Sequence, residues 1–111
     1  MRVTSALWVA ALMRRANVEG AIAVVVRKGA EEAGAIFVIV DRLDGRADLY
    51  GPAPQAVFDG ERPDDRVFQR LIELGAPDAI SARLARETKF DSDLWVVAVE
   101  DRAGRTFFET V

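Results

Sequence analysis

Arg83 and Arg86 stand three residues apart, and Asp91, Asp93 and Trp95 follow closely. A guanidinium pair beside an indole can grip an anionic ligand or a partner's carboxylate. The same residues also suit an exposed helix face laced with ion pairs and followed by a core tryptophan, and that structural reading is the favoured one. Tyr50, the sole tyrosine, and the Arg14-Arg15 pair are further groups able to meet an anion. The candidate set for a ligand or partner is therefore Arg83, Arg86, Asp93, Tyr50, Arg14 and Arg15.

Other patterns lose to simpler uses. Asp91 and Asp93 precede an apolar run, and Glu100 and Asp101 end it. A strand between them separates the two acidic pairs by roughly 20 Å at about 3.3 Å per residue. They form no common metal or acid–base cluster, and Asp91 or Asp93 is better used as a turn-forming aspartate. Pro63-Asp64 with Glu87-Thr88-Lys89 imitates a nuclease signature, but that chemistry needs the Glu-x-Lys on a strand, and here it falls in a helical pattern. The 8 glycines are scattered at turns and build no phosphate loop.

The sequence has no histidine and no cysteine. The near-neutral general base, the partner of a serine nucleophile, the thiol nucleophile and the commonest metal ligands are missing together. No catalytic residue, metal or cofactor is expected. Formal net charge is −3, which does not describe a dedicated nucleic-acid binder. Residues 1–30 nevertheless carry Arg2, Arg14, Arg15, Arg27 and Lys28 against Glu19 alone. RNA or another polyanion binding there is the alternative reading, and it requires those cations on one surface.

The elements that must position these groups follow from periodicity. A chain of 111 residues, 50% hydrophobic and 30% charged, describes one small globular domain spanning 1–111. The apolar run Ala6–Met13 is too short to span a bilayer and lacks a signal-peptide cleavage pattern, so no membrane is expected. Ser5 to about Asn17 reads as a helix capped by Thr4 or Ser5, with Leu7, Trp8, Ala11, Leu12 and Arg15 at helical spacing, widened by Val9, Met13 and Ala16. Gly20 is its stop. Ala21–Val26 and Ala35–Val40 are near-continuous apolar strands. Asp44-Gly45 supplies a hairpin turn into a strand over Asp48–Gly51. A two-residue turn there sets Asp41 against Asp48, an unfavourable like-charge pair unless the loop is longer.

Residues 66–74 fit either a helix or a bulged strand, with strand preferred. Pro77 and Asp78 open a second helix running to about Lys89, with Ile80, Leu84 and Ala85 inward and Arg83 paired to Glu87. Leu94–Glu100 is a strand with Trp95, Val97 and Val99 on one face. Arg102–Arg105 turns into a last strand over Thr106–Thr110.

Leu49-Tyr50-Gly51-Pro52-Ala53-Pro54-Gln55, the helix segment Ala82–Glu87 and Phe90-Asp91-Ser92-Asp93-Leu94-Trp95-Val96-Val97 resemble a bacterial family of short proteins, domain-of-unknown-function family 1491. The likeness spans nearly the whole chain, including Arg14-Arg15. The family pattern carries proline at Ser92, a change that a turn tolerates. The resemblance implies a small, stand-alone cytoplasmic protein and carries over no catalytic or binding residue.

The expected fold is α+β: a mainly antiparallel sheet of five or six strands with two helices on one face. With one face bare, the apolar strands at 21–26 and 35–40 call for a second cover, and a homodimer supplies it economically. The expected function is a small non-enzymatic binding or protein-interaction module that self-associates. Its partners would be a second copy, another protein or a small anionic ligand, with nucleic acid less favoured.

Overall fold

The computed structural model describes residues 3–54 and 66–111. Its elements run α1 (Ser5–Val18), β1 (Ile22–Arg27), β2 (Ile36–Asp41), β3 (Ala47–Pro52), β4 (Val67–Gly75), α2 (Pro77–Phe90), β5 (Trp95–Glu100) and β6 (Glu109–Thr110). The six strands form one sheet in the order β1-β5-β2-β3-β4-β6. The fold is α+β with a mixed sheet: β1–β5, β2–β3 and β3–β4 pair antiparallel, whereas β2–β5 and β4–β6 pair parallel.

Thr4 caps α1, its hydroxyl accepting the Leu7 amide at 3.2 Å. Gly20, at φ +88°, closes it one residue past the C-cap Glu19, where a left-handed residue is needed. The buried stripe is Ser5, Val9, Leu12 and Ala16. Leu7, expected inward, is 63% exposed because the stripe that meets the sheet is centred on Val9 and Leu12. In α2 only Ile80 is fully buried, Leu84 packs partly and Ala85 is exposed.

The two helices lie on opposite faces, not on one. Val9, Leu12 and Ala16 of α1 share a core with Ile36, Val38, Val40, Val97 and Val99. Ile80 and Leu84 of α2 pack with the alternate residues Phe37, Ile39, Leu94 and Val96. The cause is topological. β4 and β5 run in the same direction, as the chain of pairings through β3 and β2 requires. A connection between like-directed strands must leave the plane and cross a face, and α2 is that connection. The central strands β2 and β5 are thereby covered on both sides, which is why their sequences are almost uniformly apolar.

β3 and β4 resolve two local questions. The 66–74 stretch is strand, over Val67–Gly75, with bulges against β3. The β2–β3 loop is longer than two residues: Asp41 pairs with Ala47 and Val40 with Asp48, so the feared Asp41–Asp48 pair does not form. Asp41 and Asp44 turn their carboxylates on the Leu43 and Arg46 amides at 2.9 and 3.0 Å. Thr106–Thr110 departs most from expectation. Only Glu109–Thr110 is strand, and it pairs parallel with β4 at the far edge instead of returning along β5. Phe107 and Phe108 are diverted from a ladder to pack against the core below α1.

Asp101 anchors that diversion. Its carboxylate accepts the Arg105 amide at 2.7 Å and the Arg105 guanidinium at 3.1 and 2.8 Å. The side-chain bond from Arg105 is the main cause holding the Asp101 carboxyl below its ordinary range. A folded-state pKa below the unfolded value of about 3.9 adds stability above that pH and loses it as pH falls through the lower folded value. Asp101→Asn should therefore be less stable than the parent at neutral pH. The gap should narrow below about pH 4, read by urea unfolding across pH. A gap that stays constant down to about pH 2 would show the bond to be no part of acid sensitivity.

Candidate functional site

The structure disperses the six candidate residues. Tyr50 is buried on the α1 side, its ring edge-on to Phe108 at 5.2 Å. Arg83 and Arg86 belong to α2, across the sheet from it. Trp95 also faces α1, and its indole N–H donates to the Ala30 carbonyl at 2.8 Å. The less favoured guanidinium–indole grouping is thus split by strand alternation. Arg83 donates to Glu87 at 2.9 Å, as the four-residue spacing predicts, and Arg86 is exposed.

Asp93 is exposed too, and its amide donates to the Asp91 carboxylate at 2.9 Å, so Asp91 is the turn-forming aspartate. The Asp93 carbonyl accepts the Ala30 amide at 2.9 Å. Gly29 and Gly34 both approach that carbonyl so closely that a Cβ on either would overlap it. The segment linking β1 to β2 is therefore clasped around the turn that leads into β5.

The basic N-terminal residues divide as well. Arg14 and Arg15 lie near the C-terminal end of α1, and the Arg15 Nε donates to the Phe107 carbonyl at 3.0 Å. Arg27 ends β1 and Lys28 follows it, next to the segment whose Glu31 and Glu32 carbonyls accept the Ala6 and Ser5 amides at the start of α1. Ten helical residues, roughly 15 Å, separate these two ends. Arg27 donates to the Ser92 carbonyl, and Lys28 meets Glu31 at 3.6 Å. Arg2 lies outside the described residues, as does the Pro63-Asp64 half of the nuclease-like pattern. Its Glu87-Thr88-Lys89 half is helical.

Three surface features stand out in their place, none of them marked by a motif. One is a cleft of about 470 Å³ on the α1 side, walled by Trp8, Phe107 and Phe108 with Arg15 and Arg66 at its border. Arg66 is tied to the Val3 carbonyl at 2.9 Å and the Ser5 hydroxyl at 3.3 Å. The second is a cleft of about 310 Å³ beside α2, floored by Phe37, Leu71 and Leu94 and edged by Arg83, Glu87, Phe90 and Asp91. The third is the outer edge of β1, whose Ile22, Val24 and Val26 are 58%, 50% and 60% exposed. The continuous apolar run at 21–26 was the available signal for the last, because α2 does not reach that side of its face.

Among the described residues, no group of three or more Asp or Glu is placed to hold a metal ion. No helix there is long and apolar enough to cross a membrane.

No curated protein matches this chain. Solved structures do. The solution structure of protein Atu0922 from A. tumefaciens is 48% identical, covering 90% of this chain and 86% of that one, with a TM-score of 0.79. The crystal structure of a DUF1491 family protein from Caulobacter crescentus CB15 is 35% identical over 100% of this chain and 99% of that one, with a TM-score of 0.79. An NMR structure of a DUF1491 family protein from the same organism is 36% identical over 100% and 98%, with a TM-score of 0.78. The model of a family described as a protein of unknown function, DUF1491, matches residues 3–109, nearly the full length, and its pattern was already visible around Tyr50 and Trp95. On sequence and fold together, the chain belongs to the DUF1491 family.

Proposed function

We propose that this protein is a small, non-enzymatic binding module that self-associates through the free edge of β1. The observation carrying the proposal is the exposure of Ile22, Val24 and Val26 on a strand that, among the described residues, pairs only with β5. An apolar edge presents unpaired backbone groups as a template for another strand. The opposite edge of the sheet is blunted: β4 is capped by the two-residue β6, and the Val111 amide donates to the Phe68 carbonyl. On β1 only the irregularity between Val25 and Arg27 interrupts the strand, near its end. β2 gives no support for a dimer, since helices cover both its faces.

A second copy is the occupant that complements this edge. Antiparallel pairing about a two-fold axis near Ala23 or Val24 sets apolar side chains against their own kind. It also brings Glu19 of each copy toward Arg27 and Lys28 of the other. The present contacts of Glu19 with Arg105, at 3.9 Å, and of Lys28 with Glu31 are loose enough to be exchanged. So short an edge falls below the roughly 1,200 Å² of a standard interface, which places association in the micromolar range or weaker. The non-enzymatic part of the reading draws on the lack of histidine and cysteine in the sequence.

Sedimentation equilibrium should show the parent passing from monomer to dimer between micromolar and millimolar concentration. Val24→Lys should remain monomeric throughout with an unchanged circular dichroism spectrum, because the substitution falls on an exposed edge. A parent that stays monomeric at millimolar concentration ends the proposal.

A further inference from the structure

We propose that the cleft beside the C-terminal end of α2 binds an organic cation with an apolar stem. The ligand that Arg83 and Arg86 offered in the sequence, as an alternative to a plain helix face, was a small anion. The geometry reverses the sign. Arg83 is bonded to Glu87, and Arg86 does not line the cleft.

Two carboxylates stand at the cleft edge one helical turn apart, Glu87 and Asp91. Like charges at that spacing repel, and they sit at the end of a helix whose dipole already favours cations. Arg83 offsets one of them. Asp91 gives one oxygen to the Asp93 amide, and no cation pairs with it among the described residues. Beside them Phe90 holds its ring 91% exposed at the cleft edge. An aromatic face next to carboxylates is a recognised arrangement for ammonium and guanidinium groups.

Below this edge the floor is apolar and set in place. Gly51 has no side chain, and a Cβ there would come within 2.8 Å of both Phe37 and Leu71. Its absence lets those two side chains close over the strand. The volume of about 310 Å³ lies at the small end of ligand cavities, which begin near 300 Å³. It suits a single cationic head and its hydrocarbon stem, the shape of a free alkyl- or arylalkylamine or of a basic side chain on a partner polypeptide.

Three probes titrated into the ¹⁵N-labelled full chain test this. They are phenethylammonium, its neutral isostere 2-phenylethanol, and a capped lysine tripeptide. Amide shifts should gather at Leu71, Phe90 and Leu94, with the ammonium binding about tenfold tighter than the alcohol and weakening with salt. Asp91→Asn, which keeps an acceptor for the Asp93 amide, should weaken the ammonium about fivefold. Arg83→Gln should tighten it by removing the competing guanidinium, an outcome that a purely structural role for Arg83 does not produce. Tighter binding of the tripeptide assigns the site to a partner chain, and tighter binding of the free amine assigns it to a small molecule. Equal affinity for amine and alcohol, weaker binding to Arg83→Gln, or no shifts at these amides would overturn the proposal.

Discussion

Asp48→Ala should cost about 3 to 5 kcal/mol of stability, although Asp48 is remote from both clefts. Its side chain is buried, and it serves two partners at once. One oxygen accepts the Arg42 guanidinium at 3.0 Å, and the other accepts the Leu74 amide at 2.8 Å. The second bond explains the bulge. Ala47 pairs with Gly75 and Leu49 with Ile72, so Glu73 and Leu74 together stand opposite Asp48 alone. Leu74 is held at φ +50°, a left-handed conformation unusual for leucine, and its amide turns to the carboxylate instead of to the ladder.

Arg42 carries the arrangement further. Its Nε donates to the Arg102 carbonyl at 3.1 Å, tying the β2–β3 loop to the turn after β5. Gly104 leaves room for it, since a Cβ there would lie 2.5 Å from the guanidinium. Removing the carboxylate strands a half-buried cation and a part-buried amide at once, and the bulge loses the bond that fixes it. Urea unfolding gives the magnitude, and hydrogen exchange at the Leu74 amide gives the mechanism. A loss below about 1 kcal/mol, or an unchanged Leu74 exchange rate, would show the bulge to be held by the ladder itself. Asp48→Asn keeps an acceptor for Leu74 but not the charge for Arg42, and should fall between.

The same region shows where the sequence was legible and where it was not. β2 and β5 could be read because burial on both faces leaves an apolar run with no alternation to misinterpret. Thr4 and Gly20 marked the ends of α1 through local chemistry alone. The side on which α2 lies could not be read, because it depends on β5 inserting between β1 and β2. That insertion is a preference among packings, and no single segment encodes it. The scattering of Tyr50, Arg83 and Trp95 follows from the same cause: the chemistry of a side chain does not encode which face of the sheet it takes. Asp48 left only a faint trace, an aspartate inside a strand pattern with an arginine six residues before it. Its importance comes from a bulge contributed by β4, twenty-six residues away.

Phe68 and Phe90 allow one substitution to be compared in two settings. Phe68 is 1% exposed in β4, with the Trp8 ring 5.1 Å away and the Phe108 ring at 4.9 Å. Phe108 reaches on to Tyr50, so four rings join α1, β3, β4 and the C-terminal segment. Phe68→Ala should destabilise the protein by about 3 to 5 kcal/mol, through lost transfer energy and a cavity that surrounding β structure cannot collapse. It should also blunt the near-ultraviolet dichroism of Trp8, because that indole loses its nearest ring neighbour. Phe68→Leu, which refills part of the volume, should recover about half of the loss. Phe90→Ala removes a ring of the same size from an exposed helix end and should change stability by no more than about 0.5 kcal/mol. Equal losses at the two positions would mean that Phe90 is already covered in solution, by a second copy or by another part of the chain. A small loss at Phe90 alone leaves its ring open to the solvent, as recognition of a cation at the α2 cleft requires.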